Sequence, residues 1–224
     1  MRKLTFIALF FTALVACTVQ DDANYKWRDS WKETVPEEPE DPVSPEIVGK
    51  PRYVWVDAAA NFPFYANDAS AIYTDCRRIA DMGFTDLIVD VRPTTGDVLF
   101  ASTVAPPCLK EAAWVNGRSK YVERTATFDY LGTFIAAGHE AGLRVNAAVN
   151  TMVGGYHSSI GDVGMLYDHP ERKNWCSVDN LSGLLTNAMD DPDYGARFLD
   201  PANPQVQDFL LTLLRELASY DGLD

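Results

Sequence analysis

Basic residues are scarce in this chain. Its 19 lysines and arginines stand against 32 aspartates and glutamates, for a formal net charge of -13. Neutralising nucleic-acid phosphates takes a basic footprint that such a chain lacks, so no nucleic-acid partner is expected. Cysteine is also rare: Cys17, Cys76, Cys108 and Cys176 show no metal-ligand spacing, and no metal or other cofactor is expected. The apolar run Leu4–Ala16 is shorter than the roughly 20 residues needed to cross a hydrocarbon core. No glycine fingerprint follows the first β-rich run, where Ala58-Ala59-Ala60-Asn61 stands instead, and this argues against a dinucleotide-binding fold. Internal repeats are absent as well.

What is present begins with an export signal. Arg2 and Lys3 precede the apolar run, and Leu14-Val15-Ala16-Cys17 closes it. That tetrapeptide resembles the lipobox of bacterial lipoproteins, which implies that residues 1–17 are a signal peptide and that Cys17 is acylated. The expectation is a chain exported and held on the outer membrane by lipid, with more than one acyl chain needed for stable attachment. Gln20-Asp21-Asp22 resembles the acidic tag that takes some Bacteroidetes lipoproteins to the cell surface. Residues 18–49 are acidic and proline-punctuated around Pro36-Glu37-Glu38-Pro39-Glu40-Asp41-Pro42, the composition of an extended spacer. In an oxidising compartment Cys108 and Cys176 are available to pair, whereas Cys76 falls inside a helical pattern.

From residue 50 to 224 short β-rich runs alternate with helical patterns. Strands are expected over 52–57, 86–92 and 143–150. Helices are expected over 69–82, with Asn67 or Asp68 as N-cap and Gly83 as stop, over 129–141 before Gly142, and from Asn203-Pro204 to about Tyr220. This α/β alternation predicts parallel strands with helical crossovers. The helix-to-strand links are short, while those following the second and third strands are long. Long strand-to-helix loops are where an α/β barrel builds its active site.

Alternation along each strand sorts the side chains. One face carries Val54 and Val56, Leu87, Val89 and Val91, then Val145, Ala147 and Val149, all suited to pack under helices. The other carries Tyr53, Trp55 and Asp57, Ile88, Asp90 and Arg92, then Asn146, Ala148 and Asn150. In a barrel that second face is the interior, with Asp57, Arg92 and Asn150 at the rim, and a buried Asp90 or Arg92 must be paired or hydrogen-bonded.

At these residues the chain resembles the glycoside-hydrolase-like family 10 barrels of bacterial surface and secreted proteins. The matching stretches are Arg52-Tyr53-Val54-Trp55-Val56, Val91-Arg92-Pro93 with Gly96-Asp97-Val98-Leu99-Phe100-Ala101-Ser102, and Phe128-Asp129-Tyr130-Leu131 leading to His139-Glu140-Ala141-Gly142-Leu143. Val149-Asn150 and Leu199-Asp200-Pro201-Ala202-Asn203-Pro204-Gln205-Val206 follow. The resemblance implies the first half of a (β/α)8 TIM barrel acting on a polysaccharide. Its paired catalytic carboxylates would stand on later strands, beyond Asp224, and the chain would be a fragment of a longer protein or the product of a degraded gene.

The substrate-binding candidates are therefore Arg92, Asp57, Asn150, Asp90 and Trp55. Each has a plainer alternative: a salt bridge to Asp90 for Arg92, a loop or helix cap for Asp57, a turn for Asn150 and barrel core for Trp55. Tyr156 and Trp175 are aromatic enough to stack on sugars, with loop anchoring the alternative for Trp175. Asp97 and Asp200 read as turn residues and His139 as structural, while His157 and His169 occupy the loop after the third strand. Two functions compete, a surface glycosidase and a non-catalytic glycan-binding lipoprotein, and a peptidoglycan-associated structural lipoprotein is a third.

Overall fold

The computed structural model describes residues 45–46, 49–158, 160–181, 184–190 and 195–224. The signal peptide, Cys17 and almost all of the acidic spacer lie outside them. Among the described residues no helix is long and apolar enough to cross a membrane.

Three parallel strands form the central sheet: β1 (Tyr53–Val56), β2 (Asp86–Arg92) and β5 (Arg144–Val149), in the order β1-β2-β5. Between β1 and β2 run α1 (Ala58–Tyr65) and α2 (Ala69–Asp81). Between β2 and β5 come the antiparallel hairpin of β3 (Lys110–Val115) and β4 (Arg118–Glu123), then α3 (Tyr130–Glu140). After β5 follow β6 (Val153–Tyr156), α4 (Met165–Asp168), a 3-10 turn at Pro170–Trp175, β7 (Val178–Leu181) and β8 (Leu184–Asn187). A second 3-10 turn (Ala188–Asp190), β9 (Ala196–Phe198) and α5 (Pro204–Ala218) complete the order. β6 pairs with β9 and β7 with β8, both antiparallel.

Local chemistry sets the helix ends. Asp57, Asp68, Asp129 and Asn203 each cap a helix with a side-chain oxygen, and Pro204 opens α5 where a missing N–H costs nothing. Gly83 and Gly142 stop α2 and α3 with left-handed φ of 85° and 78°. Asp68 is the cap of α2. Asn67 instead binds the strap after β4, accepting from Thr125 N at 2.7 Å and Ala126 N at 3.0 Å and donating to the Glu123 carbonyl.

The apolar face of the sheet is buried as its sequence predicts. Leu87, Val89, Val91 and Val145 have no exposed surface, and they share one core with Ile72, Leu131, Phe134 and Leu213 of the helices. Burial of this kind stabilises by about 1.5–3 kcal/mol per large side chain. On the opposite face Tyr53 and Trp55 remain about half exposed, and Ile88, Asn146 and Ala148 are partly exposed. At its amino end Asp86 pairs with its cross-strand neighbour Arg144 at 2.7 Å. The outer edge of β5 meets Asp224, whose N–H donates to the Val145 carbonyl at 3.0 Å and whose carboxylate accepts from Val145 N and from His139.

In the central sheet strict alternation fails near the end of β2. Asp90 lies opposite Ala148, but Arg92 lies opposite Val149, so β2 holds one extra residue there. A one-residue slip transfers the next side chain to the other face. Arg92 therefore does not project beside Asp90 and Asn150 but joins the helix-covered side, where its guanidinium stands 5.8 Å from the centre of the Phe209 ring on α5.

Candidate functional site

The carboxyl ends of the three strands bring Asp57, Asp90 and Asn150 together. Asp90 is 5% exposed and accepts hydrogen bonds from Arg92 N at 3.2 Å and from the Asn150 amide, which reaches both carboxylate oxygens at 3.3 Å. The same amide donates to the Arg92 carbonyl at 3.0 Å, so Asn150 ties the last turn of β5 to β2. Burial raises the Asp90 carboxyl to about 6, and the negative charge of Asp57 pushes the same way, against donation from Arg92 N, Ala58 N and Asn150. Asp57 is exposed and also caps α1, accepting from Ala60 N at 2.7 Å. The capping role named for that residue is thus the one its contacts display.

Arg92 is fully buried. Its guanidinium donates to the carbonyls of Asn150, of Thr151 at 3.0 Å and of Val153 at 2.8 Å. The expected salt bridge to Asp90 is replaced by a bond from the Arg92 backbone N–H, and the cation instead fastens the loop that leaves β5. Burial brings its pKa down to about 10, opposed by Asp97 and Asp90.

Two further carboxyls lie buried in the loop after β2. Asp97, read from sequence as a turn residue, is 7% exposed, and Glu111 of β3 is 1% exposed. Burial raises Asp97 to about 8, with Asp168 and Glu111 adding to the rise and Arg92 and Arg172 opposing it. Burial raises Glu111 to about 7. The Ala112 N–H and the Thr95 hydroxyl lower it, whereas Asp90 and Asp57 raise it. Glu111 escaped the sequence reading, although a signal for its hairpin is there: Asn116-Gly117 supplies the two left-handed residues, φ 52° and 74°, of a tight turn.

The other candidates are dispersed. Trp55 sits on the uncovered sheet face in register with Ile88, more than half exposed. Tyr156 is 39% exposed on β6. Trp175 is an anchor: its ring packs against Phe209 at 5.3 Å, tilted by 51°, beneath Arg172, and its N–H donates to Gln205. His157 pairs with Asp162 at 2.6 Å and His169 with Glu171 at 3.1 Å. Asp200 makes the local turn expected of it, accepting from Ala202 N. Among the described residues no group of three or more His, Cys, Asp or Glu converges on a metal position. Cys108 is a buried free thiol, so it forms no disulfide with Cys176.

Solved structures resembling the chain include glycoside hydrolases. One is a variant of the GH36 alpha-galactosidase AgaA from Geobacillus stearothermophilus in complex with stachyose, 16% identical over 78% of this chain and 20% of that one, with a TM-score of 0.45. A second is the alpha-L-fucosidase isoenzyme 2 from Paenibacillus thiaminolyticus, 17% identical over 76% of this chain and 22% of the other, TM-score 0.48. The GH36 alpha-galactosidase AgaB from Geobacillus stearothermophilus is 16% identical over 78% and 20%, TM-score 0.42. The chain thus spans about a fifth of the length of each. No family model and no curated protein matches it.

Proposed function

We propose that the chain contributes the substrate-contacting edge of a glycoside-hydrolase-like (β/α)8 barrel that hydrolyses polysaccharide, displayed on the bacterial outer membrane through a lipid on Cys17. The observation that carries the reading is the meeting of Asp57, Asp90 and Asn150 at the carboxyl ends of adjacent parallel strands, on the sheet face that also bears Trp55. Carboxylates and amides bind sugar hydroxyls, an indole face stacks on a pyranose, and the carboxyl edge of a parallel sheet is where barrel enzymes place their sites. Arg92 serves this edge by holding the 150–153 turn that carries Asn150.

The test is a glycan panel measured by calorimetry and by release of reducing ends, with Asp90→Asn, Asn150→Ala and Trp55→Ala beside the unsubstituted protein. Binding weakened at least tenfold in the first two supports the site. Undiminished binding in all three rejects the placement, and no binding to any glycan rejects the reading. For the anchor, metabolic labelling with a fatty acid is expected to mark the chain and to be lost in Cys17→Ser.

A further inference from the structure

Asp97 and Glu111 belong to two segments that nothing in the sheet itself requires, the loop after β2 and the hairpin that follows it. Both side chains are more than nine-tenths buried, and Asp97 Oδ1 and Glu111 Oε2 lack hydrogen-bond partners. An ionised carboxylate kept from water without a donor on each oxygen is costly, and the neutral acid is far less so. Charge around them makes ionisation harder still. Asp97 faces Asp168 of α4 and Glu111 of β3, with Arg92 of β2 and Arg172 of the 3-10 turn as its cationic neighbours. Glu111 faces Asp90 of β2 and Asp57 at the end of β1, and burial together with these charges outweighs the donors it does have, the Ala112 N–H at 2.8 Å on Oε1 and the Thr95 hydroxyl. Arg92 bonds three carbonyls and Arg172 the Val104 carbonyl and two aromatic rings, and neither donates to the two acids, although Arg92 Nε and Arg172 Nη1 are buried without partners. The buried thiol of Cys108 stands 3.9 Å from Thr95 Oγ1 and donates to the Lys110 carbonyl at 3.8 Å.

We propose that Asp97 and Glu111 form a proton-operated latch: protonated, they allow the 97–113 segment to close against the sheet, and ionised, they release it. The far side of the hairpin stays tethered, because Asn67 holds residues 123–126 and the Tyr121 hydroxyl donates to the Gly161 carbonyl at 2.6 Å. Release thus swings the root of β3 away from Asp57 and Asp90, opening the strand ends above neutral pH. The latch stands on these contacts whatever ligand the edge binds.

Hydrogen exchange resolved by residue, corrected for the intrinsic pH dependence, is the test on the full chain. Protection of the amides of Val98, Cys108 and residues 111–113 is expected to fall at least tenfold between pH 6 and 9 while that of β2 holds, and to stay level in the Asp97→Asn, Glu111→Gln double variant. Infrared spectra of an Asp90→Asn protein are expected to show a protonated-carboxyl band at pH 6 that is gone at pH 9, which ties ionisation of the two acids to the loss of protection even if the double variant does not fold. Level protection in the unsubstituted protein, or no such band, overturns the latch.

Discussion

The Asn150 side-chain amide lies 3.3 Å from each carboxylate oxygen of Asp90, bridging the ends of two parallel strands. A donor that favours the ionised acid holds its pKa down, so Asn150→Ala is expected to move the Asp90 titration above its present value of about 6. Asp57→Asn, which removes a negative neighbour and keeps a capping oxygen, is expected to move it below. Carbon-detected NMR titration of Asp90 in the two variants reads both signs, and shifts in the same direction would sink the assignment. Loss of the bridging bonds is also expected to cost Asn150→Ala about 1 kcal/mol in urea unfolding.

Stability is expected to fall as pH rises. Asp90, Glu111 and Asp97 titrate at about 6, 7 and 8 in the folded chain, above the unfolded carboxylate range near 4. The folded state therefore binds more protons than the unfolded state between these limits. The contribution is complete below about pH 4 and disappears as pH passes each folded value, at up to about 1.4 kcal/mol per pH unit for each titrating group. Thermal melts from pH 5 to 9 should slope downward and flatten in Asp97→Asn. A melting temperature that climbs toward pH 8 contradicts the burial of these acids.

Gly138 packs α3 directly on the sheet. A Cβ there would land within contact distance of Val145 Cγ2 and 3.5 Å from Leu87 Cδ1. Gly138→Ala is expected to lose about 1–3 kcal/mol by overpacking, despite the better helix propensity of alanine. A stabilised variant in chemical denaturation would show that α3 has room to shift.

Cys108 is expected to be inert in the native chain. It has no exposed surface, and burial followed by the charges of Glu111 and Asp97 pushes its thiol well above the ordinary value. Maleimide labelling at pH 6 should leave it unmodified until denaturant is added, and rapid labelling there would contradict the packing of the 97–108 loop.

Much of this was legible in the sequence because local signals and tertiary packing agree. β2 runs over residues 86–92 as its apolar alternation indicates, and the Asp68, Asp129 and Asn203 caps sit where a polar residue precedes a helical pattern. Helix α1 was hidden because Ala58–Tyr65 has no amphipathic period and contains Pro63. The hairpin was hidden inside a long connection, although Asn116-Gly117 marks its turn, and with it went Glu111. Arg92 was assigned to the wrong face because alternation cannot foresee an inserted residue.

That extra residue in β2 acts as an insulator. Insertions and deletions in a strand ordinarily reverse the facing of everything beyond them, yet here the reversal has already taken place within the strand, between Asp90 and Arg92. Arg92 then clamps the neighbouring turn through main-chain oxygens, which any sequence at 150–153 supplies. The turn beyond is thereby fastened to the strand through its main chain, and the core beneath keeps its register.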